Sequence, residues 1–146
     1  MPPRKPSAAE ANAHELMQAM GVLLRRVRGE AAGADGPSWS QAAAMARLDK
    51  AGPMTTAELA RAEMVKPQSM GALLAELEQD GLVRREPHPT DGRQILFSLT
   101  GAGVQARRRR QAAKLAWLTA AIERFDAGEQ RTLVAAIELV RRLGEQ

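Results

Sequence analysis

Residues 53–100 read PMTTAELARAEMVKPQSMGALLAELEQDGLVRREPHPTDGRQILFSLT. Thr55 stands three residues before Glu58, the spacing of a capping box, so Thr55 or Thr56 starts a short helix carrying Leu59. A second helix opens at Pro67, whose missing N–H is no loss in a first turn. Met70, Leu73, Leu74 and Leu77 give it one apolar face, and Gly81 is placed to end it in the left-handed conformation. Leu82–Glu86 and Ile95–Leu99 read as two strands, with Ile95, Phe97 and Leu99 alternating. Between them HPTDGR forms a charged tip, where Asp91-Gly92 is expected to supply a positive backbone angle. Short helix, tight turn, amphipathic helix and hairpin, in that order, are the layout of a winged helix-turn-helix, which lays one helix in the DNA major groove.

The flanks on both sides are helical. Leu16, Met20, Leu23 and Val27 form a stripe that predicts a helix over about 8–30, broken by GADGP at 33–37. Ser38 and Gln41 have capping-box spacing and open a helix that ends near Gly52. After the hairpin, a helix from Gly101 to about Phe125 carries Leu115, Leu118, Ile122 and Phe125 on one side. A break at Asp126 precedes a last helix with Leu133, Ile137 and Val140. The fold class expected is mainly α with a small β-hairpin wing.

Composition narrows the function. Hydrophobic residues make up 45% of the 146, but aromatics only 3%, so the core is built from Ala, Leu, Val and Met. Residues 82–114 hold eight Lys or Arg against Glu86 and Asp91, an excess of six, whereas the whole chain carries +4. Positive charge is therefore concentrated on one part of the chain, as suits a polyanionic partner. There is no cysteine, which removes disulfides, thiol switching and thiolate metal sites. The N-terminal residues lack a signal-peptide core and no stretch approaches 18 apolar residues, so a soluble cytoplasmic protein with no membrane partner is expected.

The exposed start of the helix opening at Pro67 offers Lys66, Gln68, Ser69 and Ala72. Glutamine can pair with adenine, and lysine can reach phosphate or guanine. Arg93 suits a narrow minor groove, and Asp91 is expected to hold its guanidinium by a charge-assisted bond. Arg84 or Arg85 could face the DNA backbone. Four consecutive arginines, Arg107–Arg110, point in four directions, so some face solvent or a partner chain. His14 and His88 have no second ligand at metal spacing, and Ser69 lacks a nucleophile elbow. No catalytic residue, metal or cofactor is expected. Trp39 and Trp117 belong to a core, to a dimer contact, or to the wall of an effector cavity.

On Ser38-x-x-Gln41, GPMTTAELA at 52–60, LEQDGLVRREPHPTDGR at 77–93 and SLT at 98–100, the chain resembles the MarR (multiple-antibiotic-resistance regulator) family of bacterial transcription factors. The resemblance covers nearly the whole chain. It implies a homodimeric winged helix-turn-helix repressor whose terminal helices interlace, whose two lobes grip successive grooves of a pseudo-palindromic operator, and which is released by a small organic effector, often phenolic among relatives. It divides the chain into a disordered basic tail at 1–7, an N-terminal dimerisation helix at 8–32, a DNA-binding lobe at 38–100 and C-terminal dimerisation helices at 101–146. The DNA-contact set is then Thr55, Thr56, Lys66, Pro67, Gln68, Ser69, Arg84, Asp91 and Arg93. The effector set is Met17, Met20, Leu24, Trp39, Ala43 and Trp117. Lys66 stands where relatives often carry an acidic cap, and Gly71 and Ala72 where they often carry polar residues. Two other readings remain: a winged-helix module for protein–protein contact without sequence-specific DNA binding, and a small enzyme, for which no acid, base or metal cluster is visible.

Overall fold

The computed structural model describes residues 7–31 and 36–145. Among these residues six helices and three short strands follow one another as α1 (Ala8–Ala31), α2 (Trp39–Ala51), β1 (Met54–Thr55), α3 (Thr56–Ala62), α4 (Pro67–Gln79), β2 (Val83–Pro87), β3 (Ile95–Leu99), α5 (Gly101–Ile122) and α6 (Ala127–Gly144). The mainly helical fold with a small wing is as expected. Expectations for residues 1–6, for Ala32 and for most of the 33–37 break lie outside the described residues. Ser7, assigned to the tail, instead caps α1: its Oγ accepts from Glu10 N at 3.2 Å, and the Glu10 carboxylate accepts from the Ser7 N–H.

Local chemistry sets most boundaries. Ser38 and Gln41, Thr55 and Glu58, and Asp126 and Glu129 each form a reciprocal capping box, and Thr100 Oγ1 accepts from Gly103 N to start α5. Each box satisfies two of the N–H groups that a helix start leaves without partners. The Thr55 backbone N–H and then its hydroxyl, both donating to Glu58, hold that carboxyl below the usual carboxylate range.

Helices α2, α3 and α4 and the sheet enclose one core of Met45, Leu48, Leu59, Met70, Leu74 and Leu77, closed by Val83 and Phe97. The sheet order is β1-β3-β2, antiparallel throughout, with Arg85 opposite Phe97 and Met54 also opposite Phe97. Strand β1 was not foreseen. Two residues cannot show an alternating pattern, and this strand exists because β3 offers a free edge some forty residues later. Strand β2 begins one residue later than expected, because Leu82 N is engaged by Leu77 O at 2.9 Å in the closing turn of α4. Ile95 leaves the apolar face at the wing end and is exposed, whereas Ser98 is buried.

Helix α1 packs along α5 to form a frame beside the lobe. Helix α5 stops at Ile122, three residues short of Phe125, where the chain turns into the Asp126 cap. Helix α6 has no buried residue and makes no extensive contact with any other element. Val134, Ile137, Val140 and Leu143 on it are exposed, as are Val22, Leu23 and Leu24 on α1.

Candidate nucleic-acid interface and adjoining cavity

Helix α4 presents Pro67, Gln68, Ser69 and Ala72 to solvent and buries Met70, Leu74 and Leu77. Its first turn carries no side-chain cap, because Lys66 at the N-cap position has no acceptor to offer. Unsatisfied N–H groups, the positive end of the helix dipole and the Lys66 ammonium thus lie together. Gln68 and Ser69 are free of hydrogen-bonding partners among the described residues, so their side chains remain available to an external ligand.

The wing tip is organised differently from the sequence expectation. His88 N donates to Gln94 O at 3.2 Å and Gln94 N to Asp91 O at 3.0 Å, closing a tight turn inside a longer loop. Gly92 has no positive φ, since a loop of this length accommodates an ordinary turn that a two-residue hairpin could not. The Asp91 carboxylate does not hold the Arg93 guanidinium. Its Oδ1 accepts from the Arg93 backbone N at 3.0 Å and its Oδ2 from Gln94 Nε2 at 3.0 Å. A short carboxylate two residues away reaches the backbone more readily than a long flexible head. His88 Nδ1 accepts from the N–H groups of Thr90 and Asp91 at 3.3 and 3.2 Å, which sequence reading missed. Arg93 itself is exposed and enters no ion pair among the described residues.

Other members of the expected DNA-contact set are already engaged. Thr55 spends its hydroxyl on the α3 cap, and Thr56 is the first, half-buried residue of that helix. Arg84 lies 2.8 Å from Glu86, whose carboxylate also accepts from Ser98 Oγ at 2.8 Å. Those two bonds, Ser98 first, hold the Glu86 carboxyl below its usual range. Arg85 pairs with Glu78 at 2.8 Å and stacks 5.5 Å from the Phe97 ring centre. The structure therefore brings Lys66, Gln68, Ser69 and Arg93 onto the surface of one lobe with uncommitted heads, and ties Arg84 down.

Between α1, α2 and α5 lies a cavity of about 680 Å³. Of the expected effector set, Leu24, Trp39 and Ala43 line it. Met17, Met20 and Trp117 do not: Met17 is 75% exposed, and seven residues separate it from Leu24, roughly 10 Å along a helix. Trp117 instead lies under the Arg26 guanidinium at 5.8 Å, and Trp39 under Arg28 at 5.1 Å. The wall supplied by α5 is cationic, which an apolar reading of the tryptophans did not foresee. Arg107 is paired with Asp49 at 3.1 Å, and Arg110 Nη1 donates to Pro37 O at 2.8 Å. Arg110 Nε is buried without a hydrogen-bonding partner among the described residues. Burial, and then repulsion from Arg110, Arg107 and Arg28, push Lys114 below the usual lysine range. A run of arginines followed four residues later by a lysine was the available signal, because i and i+4 share a helix face. No group of three His, Cys, Asp or Glu suited to a metal ion occurs among the described residues, and no described helix is long and apolar enough to cross a membrane.

The MarR family profile matches residues 38–95. The chain is 36% identical over 106 residues to an uncharacterized HTH-type transcriptional regulator of Mycobacterium leprae, covering 73% of this chain and 74% of that protein. It is 28% identical over 123 residues to an HTH-type transcriptional repressor of Mycobacterium tuberculosis, covering 84% and 88%. A crystal structure from Pseudomonas aeruginosa superposes with a TM-score of 0.81 at 32% identity, over 97% of this chain and 99% of that one.

Proposed function

The chain belongs to the MarR family of transcriptional regulators, and we propose that it acts as a homodimeric repressor which binds a pseudo-palindromic operator and is released by a small organic acid. The observation that carries the DNA-binding part is the uncapped, exposed start of α4, with Lys66, Gln68 and Ser69 uncommitted among the described residues, on the same lobe as Arg93, which enters no ion pair among them. Gln68 and Ser69 are assigned to base edges, Lys66 and Pro67 to the phosphate at the helix start, and Arg93 to the minor groove. Asp91 and Thr55 act here as positioning residues, since their polar atoms hold backbone.

Dimerisation is supported by α6. Its apolar face has no extensive counterpart among the described residues, and an amphipathic helix of this length gains most of its stability from packing that face. Residues 8–32 and 101–146 are thus assigned to the dimer frame. Sedimentation at micromolar concentration is expected to give twice the chain mass of 15.8 kDa. A folded particle of single-chain mass would contradict the assignment. Binding isotherms of the full chain on the DNA upstream of its own gene, taken at several salt concentrations, test the regulator reading itself. Tight binding that exceeds binding to scrambled DNA at every salt is expected. Equal, weak binding to both would favour the protein–protein module.

The effector is assigned to the 680 Å³ cavity, with Trp39 as an aromatic wall and Lys114, Arg28 and Arg110 as its anion-binding side. An anion relieves the mutual repulsion of these cations. A ligand changes DNA affinity only as far as it prefers one spacing of the two lobes, for which a coupling of about 1–3 kcal/mol is typical. Benzoate-sized aromatic acids are therefore expected to weaken the operator complex and their neutral amides to leave it unchanged. Lys114→Gln should weaken acid binding roughly tenfold, the worth of one charge-assisted hydrogen bond. An amide as effective as its acid would remove the anion assignment.

A further inference from the structure

Helices α3 and α4 end in the same hydrogen-bonded closure. After α4, Leu82 N donates to Leu77 O at 2.9 Å and Gly81 N to Glu78 O at 3.0 Å, with Gly81 at φ +71°. After α3, Val65 N donates to Ala60 O at 2.9 Å and Met64 N to Arg61 O at 3.3 Å, with Met64 at φ +53°. Both closures require a left-handed residue at the same point, where glycine is the unstrained choice. The chain uses glycine at the end of α4 and methionine at the end of α3. Met64 is the one non-glycine residue with positive φ among those described.

Packing within the lobe does not repay that conformation. Met64 is 92% exposed, and the adjoining Val65 is 42% exposed. A long apolar side chain is thus held in a disfavoured backbone state and presented to the outside. Its position decides what it meets. It lies three residues before Pro67, at the end of α4 assigned to the groove; the carboxylate of the preceding Glu63 is neutralised by Arg47 at 2.9 Å, and Arg61 and Lys66 stand three residues before and two after. Cationic flanks suit a polyanion rather than an apolar protein surface. In the major groove the apolar feature of the base edges is the thymine 5-methyl group, and methionine is flexible and polarisable enough to reach and cover it.

We propose that Met64 is a specificity-determining residue that contacts the 5-methyl group of one thymine in each operator half-site. The proposal rests on the regulator reading above, and the test separates the two. Duplexes are selected from a random-sequence pool with the full chain, and each thymine of the selected site is then replaced in turn by deoxyuridine, which lacks only that methyl. The wild-type chain should lose about fourfold in affinity at one thymine per half-site, the worth of one buried methyl. Met64→Gly and Met64→Asn, both compatible with the left-handed conformation, should melt no lower than wild type. They should bind the unsubstituted duplex more weakly, and should not distinguish deoxyuridine from thymine at that position. A penalty that persists in both variants, or a flat deoxyuridine scan with the wild-type chain, overturns the proposal. So do variants that bind selected DNA normally yet fail to repress in cells, which would assign Met64 to a protein contact. A chain that selects no sequence at all overturns the regulator reading and this proposal with it.

Discussion

Gln68→Ala and Arg93→Ala are expected to weaken operator binding in different ways. Gln68 is exposed on the first turn of α4, and in its assigned role its loss should cost about 1–3 kcal/mol on the cognate operator. Preference at one position per half-site should relax, and the salt dependence should hardly change. Arg93 is assigned to the minor groove, where reading is degenerate and attraction is largely electrostatic. Its loss should weaken binding to most sequences and reduce the salt slope by about one counterion unit per lobe. The tip should keep its shape in this variant, because Asp91 holds the Arg93 backbone N–H and not its guanidinium. Isotherms on operator and scrambled duplexes at several salt concentrations distinguish the two patterns. If Gln68→Ala loses equally on both DNAs, α4 does not read sequence and the recognition assignment is withdrawn.

Gly103→Ala is expected to destabilise the fold by about 3 kcal/mol, although alanine is the better helix former by about 1 kcal/mol. A Cβ at this buried position would stand 2.1 Å from Leu82 O and 3.2 Å from Leu99 Cδ2. Leu82 O cannot swing away freely, since it accepts from Thr100 N at 3.1 Å where the wing leads into α5. Gly101, two residues earlier, would meet nothing within 4 Å, so Gly101→Ala is the control and should melt no lower than wild type. Chemical denaturation of the three proteins decides the matter. Equal stability of Gly103→Ala and wild type would mean that α5 can shift away from the lobe at little cost.

Much of this was readable from residues whose effect is local. Ser38 and Thr55 start helices by bonding three residues ahead, Gly81 stops one, and the Met70–Leu77 spacing names a buried face. What escaped was decided by distant or competing partners. Strand β1 exists only because Leu96 and Phe97 lie alongside it. Asp91 had two nearby donors to choose from, a guanidinium and a backbone N–H, and the sequence pattern does not rank them. Arg84 looked available until Glu86 and Ser98 came to lie beside it on the pleated surface. The cationic wall of the cavity was hidden in a run of arginines whose directions depend on where α1 and α2 pack. Met64 escaped for another reason: its left-handed backbone is imposed by the closure of α3, and nothing about methionine announces it.

The joint around Gly81 has a consequence for the geometry of any half-site. Thr100 Oγ1 donates to Gly81 O at 2.6 Å, Thr100 N to Leu82 O, and Leu82 N to Leu77 O, so the end of α4, the start of β2 and the end of β3 are stitched at one point. The helix and the wing then behave as the two arms of a caliper locked at its hinge. Inserting a single base pair between the step assigned to the helix and the step assigned to Arg93 moves those steps apart by roughly 3.4 Å, which the lobe has no joint to absorb. In the proposed dimer, a spacer change between the two half-sites falls instead on the frame of terminal helices, whose apolar residues on α6 and α1 are exposed in the single chain.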